Sequence, residues 1–114
     1  MFKINPAPTF TVPVEITVPG EAQKASLSVT FKHLGKKARK QYFEERLGKE
    51  DDAEILSGII VGWEGADTPY SREALESLLD NYELAATEIM HAYGAALMGA
   101  AEKNSSTPPA TGQT

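Results

Sequence analysis

TFTVPVEITVPGEAQKASLSVTFK, residues 9–32, decides the fold. In its first half Phe10, Val12, Val14, Ile16 and Val18 occupy one face of an extended chain. Thr11, Pro13, Glu15 and Thr17 occupy the other. Alternation with period two and many β-branched residues predicts a half-buried strand. Pro13 has no N–H to give a ladder, so the strand belongs at a sheet edge. Pro19-Gly20 opens a turn. A second alternation follows, with Ala25, Leu27, Val29 and Phe31 on one side and Lys24, Ser26, Ser28, Thr30 and Lys32 on the other. The two runs predict a β-hairpin over about residues 9–33, with a loop of about five residues.

A two-stranded hairpin is marginal in water, and its apolar face needs a cover. Helical periodicities downstream supply one. Lys36 to Leu47 predicts a helix with Ala38, Tyr42, Phe43 and Leu47 on its apolar side and Gly48 at its end. Asp51 or Asp52 can cap a second helix, whose stripe is Ile55, Leu56, Ile59, Ile60 and Trp63. Gly62 to Pro69 reads as a turn-rich loop. Ser71 caps a third helix that turns Ala74, Leu75, Leu78 and Leu79 inward, and Glu73 complements the dipole of its first turn. A last helix over about Glu83 to Ala101 carries the stripe Ala85, Ile89, Ala92, Tyr93, Ala96, Leu97 and Ala100. The expected fold is therefore α+β, an N-terminal hairpin packed against about four helices. Residues 1–103 form a single domain, with helices over about 36–101. Residues 104–114 lack any large apolar side chain and read as a disordered tail.

Composition bounds the function. The chain has 114 residues, 41% of them hydrophobic and 24% charged, with a net charge of −5 and no cysteine. That is a folded chain of modest core, for which a homo-oligomer would bury more surface. The acidic balance disfavours nucleic acid and anionic membranes as general partners. No apolar run approaches the roughly 20 residues of a membrane span, and the N-terminus lacks the apolar segment of a signal peptide.

No motif carries chemistry. His33 and His91 lie on different elements, and without cysteine they do not make a metal site. The acidic residues Glu50, Asp51, Asp52 and Glu54 lack the alternation and central glycine of a calcium loop and read as helix caps. There is no nucleophile elbow and no phosphate-binding glycine loop. The expectation is a protein that is not an enzyme and needs no cofactor.

Charge and small residues suggest contact surfaces instead. Lys32, Lys36, Lys37, Arg39, Lys40 and Arg46 place six of the eleven basic residues in one window, while fourteen of the sixteen acids lie from Glu44 to Glu102. The plain reading is a solvated helix face. Cations at a helix N-terminus oppose its dipole, however, which points to Lys36, Lys37, Arg39 and Lys40 as an electrostatic contact for an acidic patch on a partner or another copy. Nucleic-acid binding is a third reading. Trp63 is either a core filler with its indole N–H bonded to a carbonyl or a half-exposed interface residue. The last helix combines alanines, Gly94 and Gly99 with Met90 and Met98. It is either an inner helix or a face that lets a partner helix approach closely. The candidate partner-binding residues are Trp63, Met90, Tyr93, Gly94, Leu97 and Met98.

The order of these features resembles a known family. FKINPAPTFTVPVEITVPG, a strand ending in SVTFKHL, a charged helix, IVGWEGADTPYSREALESLLDNY and a closing AATEIMHAYGAAL together resemble the small tail assembly chaperones of long-tailed phages and prophages. The resemblance covers residues 2 to 103, and its most specific part is the Trp63 loop with Pro69-Tyr70-Ser71 and the helix after it. It implies a cytoplasmic protein of virion morphogenesis, absent from the mature virion. Its expected partner is the helical tape measure protein, which it keeps soluble while helping to recruit major tail protein. The family brings no catalytic residue. From the residues alone, a small nucleic-acid-binding regulator or a generic intracellular adaptor is the alternative.

Overall fold

The computed structural model describes residues 1–99. Its elements are β1 (Thr9–Ile16), β2 (Ala25–Lys32), α1 (Lys36–Arg46), α2 (Asp52–Ser57), β3 (Ile60–Glu64), α3 (Arg72–Asn81) and α4 (Ala85–Leu97). The strands form one antiparallel sheet in the order β1-β2-β3. The α+β expectation holds, with the predicted hairpin in place and four helices against it. The tail expected over 104–114, Ala100 of the last stripe and the expected helix end at Ala101 lie outside the described residues.

The hairpin register pairs Thr9 with Lys32 through Ile16 with Ala25. It puts Val12, Val14 and Ile16 beside Leu27, Val29 and Phe31 on one buried face. Pro13 sits opposite Ser28 on the edge strand β1, where its missing N–H costs the ladder least. On the outer face the Thr11 and Thr30 hydroxyls are 2.7 Å apart. The turn closes with the Glu21 N–H donating to the Val18 carbonyl at 3.0 Å.

One element departs from the sequence reading. Residues 60–64 are not the end of a helix but the third strand. α2 stops at Ser57, and β3 pairs with β2. The register matches Phe31 with Ile60 but Val29 with Trp63, so Val61 is an extra, exposed residue in the ladder. This bulge turns Ile60 and Trp63 to the same face although they are three residues apart. A bulged strand thus imitates helical spacing, which is why Ile55, Leu56, Ile59, Ile60 and Trp63 read as one stripe. Ile59 stays fully buried in the connection, and its carbonyl accepts the Lys32 N–H at 2.8 Å.

The helices start and stop where their chemistry says. The Asp51 side chain accepts the Glu54 N–H at 2.8 Å, and the Ser71 hydroxyl accepts the Ala74 N–H at 3.0 Å. α1 ends before Gly48, which takes a φ of +82° that a side chain would oppose. α4 is shorter than expected. It begins at Ala85 and ends at Leu97, with Gly99 at a φ of +76° beyond it.

The core lies between the sheet and α2, α3 and α4. Val29, Phe31, Ile59, Leu75, Ala85 and Ile89 are fully buried, and Leu56 and Tyr93 nearly so. Each large apolar side chain removed from water this way contributes roughly 1.5–3 kcal/mol. Leu78 and Leu79 pack against this cluster but remain half-buried. α1 is different, since none of its residues is buried. Leu47, expected on its apolar side, is 61% exposed. Three contacts attach α1. The Tyr42 hydroxyl donates to the Ile55 carbonyl at 2.6 Å, Arg39 Nη1 donates to the Leu34 carbonyl at 2.9 Å, and Phe43 lies 6.4 Å from the Tyr93 ring. Gly58 allows the first of these, because a Cβ there would collide with the Tyr42 hydroxyl.

A carboxylate ties the hairpin to α4. Glu88 accepts from the Thr17 N–H at 3.0 Å and from the Thr17 hydroxyl, and Lys24 lies 3.4 Å away. Burial alone would raise the Glu88 pKa, but the Thr17 donors and then Lys24 outweigh it and hold the carboxyl below its usual value. Its folded pKa is therefore lower than its unfolded one, so its stabilisation is present above the unfolded value and lost as the pH falls through the folded value. Glu88→Gln should cost about 1–2 kcal/mol at neutral pH, and the gap to the parent should close below about pH 4. Denaturant melts across that range measure both.

Candidate functional site

Two grooves flank the core, and they share no lining residue. The first lies between α1 and α4 and holds about 470 Å³. It exists because α1 stands off the core while α4 is packed into it. Phe43 and Leu47 form one wall, and Met90, Gly94 and Leu97 the other. The Tyr93 ring lies between them, 2% exposed. Lys36, Arg39 and Lys40 edge the groove on the α1 side, with Glu44 as the one carboxylate.

The aromatic packing beneath the groove fixes its shape. Tyr93 stacks on Phe10 with centroids 5.9 Å apart, meets Phe31 at 5.0 Å and reaches Phe43 at 6.4 Å. Phe43 in turn stands edge-on to Tyr42 at 5.2 Å. Arg46, one turn on in the same helix, covers the Tyr42 ring at 4.0 Å. The Tyr93 hydroxyl is buried and has no hydrogen-bond partner among the described residues. Burial raises its pKa, against the nearby charge of Arg39.

The cations are mostly unneutralised. Gly35 precedes α1 without a capping side chain, and the first turn of α1 holds no acid. Lys40 lies 3.9 Å from Glu44, but both side chains are exposed, so that pair is weak. Arg39 spends one N–H on Leu34. Lys37 is exposed and lies outside the lining of the groove.

The second groove, of about 670 Å³, lies where the turn end of the hairpin meets the Trp63 loop and α3. Val18, Leu27, Trp63, Ala74, Leu78 and Tyr82 give it an apolar lining, and Asp67 and Glu73 an acidic edge. Trp63 is half-buried. Its indole N–H donates to the Thr68 carbonyl at 2.9 Å, and its ring stands edge-on to Tyr70 at 5.0 Å. Both readings of Trp63 therefore meet in one position, since it braces the loop from one side and lines the groove with the other.

Of the residues singled out from the sequence, Met90, Tyr93, Gly94, Leu97, Lys36, Arg39 and Lys40 come together at the α1–α4 groove. Met98 extends that surface at the end of α4, 84% exposed and beside Arg39, Gly94 and Leu97. Trp63 is elsewhere. Phe43 and Leu47, read only as the apolar side of α1, form a groove wall, and Phe43 also packs against the core. The signal that marks them is the strongly polar remainder of α1, which leaves too narrow an apolar stripe to bury a helix. His33 packs edge-on to Phe10 and His91 is exposed. Among the described residues no cluster of three His, Asp or Glu side chains can hold a metal ion.

The sequence profile of a family described as "Phage tail assembly chaperone" matches this chain over residues 1–104. No curated protein and no solved structure matches it.

Removing the Tyr93 hydroxyl tests the packing under the groove. An unpaired buried hydroxyl carries a desolvation cost of about 1–3 kcal/mol. Tyr93→Phe should therefore melt at the same denaturant concentration as the parent or higher. A loss of more than about 1 kcal/mol would show that the hydroxyl has a partner.

Proposed function

This chain belongs to the phage tail assembly chaperone family, and on that premise we propose that it binds a helical segment of a tape measure protein. It acts in the host cytoplasm, keeps that client soluble, assists the assembly of major tail protein around it and is absent from the mature virion. The coarser statement, a chaperone of tail assembly with protein partners, follows from family membership over residues 1–104. No helix among the described residues is long and apolar enough to cross a membrane.

The observation that carries the proposal is the α1–α4 groove. Three candidate residues of the last helix, the adaptable Met90, the small Gly94 and the stripe residue Leu97, line one side of an open apolar channel. Met90 to Leu97 covers about two turns of α4, enough to meet two or three anchor side chains of an approaching helix. Methionine adapts to non-identical anchors, which suits a client whose segments differ along its length. The Trp63 groove gives a second, separate seat. Several weak contacts along one long client add up to useful avidity without tight binding at any single one.

Gly94 allows a clean test, because a Cβ built there meets nothing within 4 Å. Gly94→Leu therefore starts its side chain without a clash and narrows the groove, and Met98→Asp places a charge on an 84% exposed position. Co-expressed with the cognate tape measure protein, the parent chain should raise the client's soluble fraction. Both variants should lower that gain while keeping the parent's thermal melt. A client equally insoluble with and without the chain, and no complex on pull-down, would refute the proposal.

A further inference from the structure

We infer that the α1–α4 groove takes an acidic amphipathic helix. The inference rests on the chaperone reading and adds the chemistry of what the groove selects.

Charge decides it. The chain is acidic overall at −5, yet the groove is edged by Lys36, Arg39 and Lys40 against Glu44 alone. Lys36 opens α1, where the positive end of the helix dipole disfavours a cation. Gly35 supplies no cap, and no acid in the first turn offsets the charge. Lys36 thus contributes nothing to the stability of α1 by its charge. An approaching carboxylate would meet the cations and the helix dipole together, both with the same sign of attraction.

The apolar floor sets the rest of the ligand. Phe43 and Leu47 face Met90 and Leu97 across a channel whose narrowest wall residue is Gly94. Leu47 at 61% exposure and Met98 at 84% have no partner cover among the described residues. A chain that carries apolar anchors on one face and carboxylates beside them satisfies both features, and a helix is the form that presents them at spacings of three and four residues. A basic helix of the same apolar content would bring like charges to the edge and be rejected.

Two synthetic helical peptides of about twenty residues test this, identical in apolar stripe but with glutamate or lysine on the flank. The acidic peptide should bind the full chain at least about tenfold more tightly than the basic one by fluorescence anisotropy. The preference should shrink as salt rises from about 50 to 500 mM. The double variant K36E/K40E should lose or invert the preference and melt close to the parent's temperature, since the gain from an acid at position 36 beside the helix N-terminus offsets the repulsion that a carboxylate at position 40 meets from Glu44 and from position 36. Arg39 is left in place because it holds Leu34. K36Q/K40Q repeats the test without reversed charge, with a preference at least threefold weaker than the parent's.

Equal binding of the two peptides, a preference for the basic one, or no binding of either at millimolar concentration overturns the inference. A groove filled by a second copy overturns it too, and would show as a dimer in the ultracentrifuge whose mass falls in Gly94→Leu. Solubilisation of the tape measure protein by the parent chain is read separately. If it persists without peptide preference, the chaperone reading stands and the acidic-helix inference fails. The opposite pattern fails the chaperone reading alone.

Discussion

Four aromatic rings, Phe10, Phe31, Phe43 and Tyr93, meet where the sheet, α1 and α4 converge, and the rest of the structure depends on that junction. Tyr93 is the centre, with the other three rings at 5.0 to 6.4 Å from it. Such contacts add about 0.5–1.5 kcal/mol per pair beyond the apolar area they bury. Their structural consequence matters more than their sum. Phe10 and Phe31 fix the sheet against α4, while Phe43 is the apolar side chain through which α1 reaches the same cluster. α1 is therefore fastened by two half-buried rings, Tyr42 and Phe43, and two hydrogen bonds rather than by a fully buried face. A helix held that way leaves a channel beside it, and the channel is the candidate site.

This economy explains the composition of α1. A helix that buried a full stripe would need three or four apolar residues every two turns. α1, KKARKQYFEER, offers Ala38, Tyr42 and Phe43, and of these the tyrosine hydroxyl is spent on the Ile55 carbonyl. Arg39 and Arg46 act as struts, one on Leu34 and one over Tyr42. The remaining cations are free of structural duty. Exposed cations thus stand beside apolar side chains that are only half-buried, the combination the proposed docking groove relies on.

Much of the fold is readable from the sequence because its strongest signals are local. The alternation over residues 9–32, the proline on an edge strand, and the caps at Asp51 and Ser71 each depend on a few neighbouring side chains. The third strand is not readable in the same way. Its bulge at Val61 places Ile60 and Trp63 on one face, so the apolar spacing is helical although the backbone is extended. Pairing with β2, a long-range contact, decides the matter. The site shows the same division. Met90, Gly94 and Leu97 stand out by residue type, and the cations by density. That α1 would bring Phe43 and Leu47 to face them depends on how far α1 stands from the core, which only the tertiary packing sets. Trp63, nominated with the α4 residues, proves to line a different groove, since no sequence rule relates a strand end to the middle of a distant helix.

The central claim is that the client lies between α1 and α4. Site-specific photo-crosslinking tests it most directly, with a benzophenone side chain placed at Leu97 in the groove and, for comparison, at the exposed bulge residue Val61 outside it. In cells making the cognate tape measure protein, the account predicts a crosslinked adduct from Leu97 and none above background from Val61. An adduct from Val61 with none from Leu97, or equal yields from both, would contradict it.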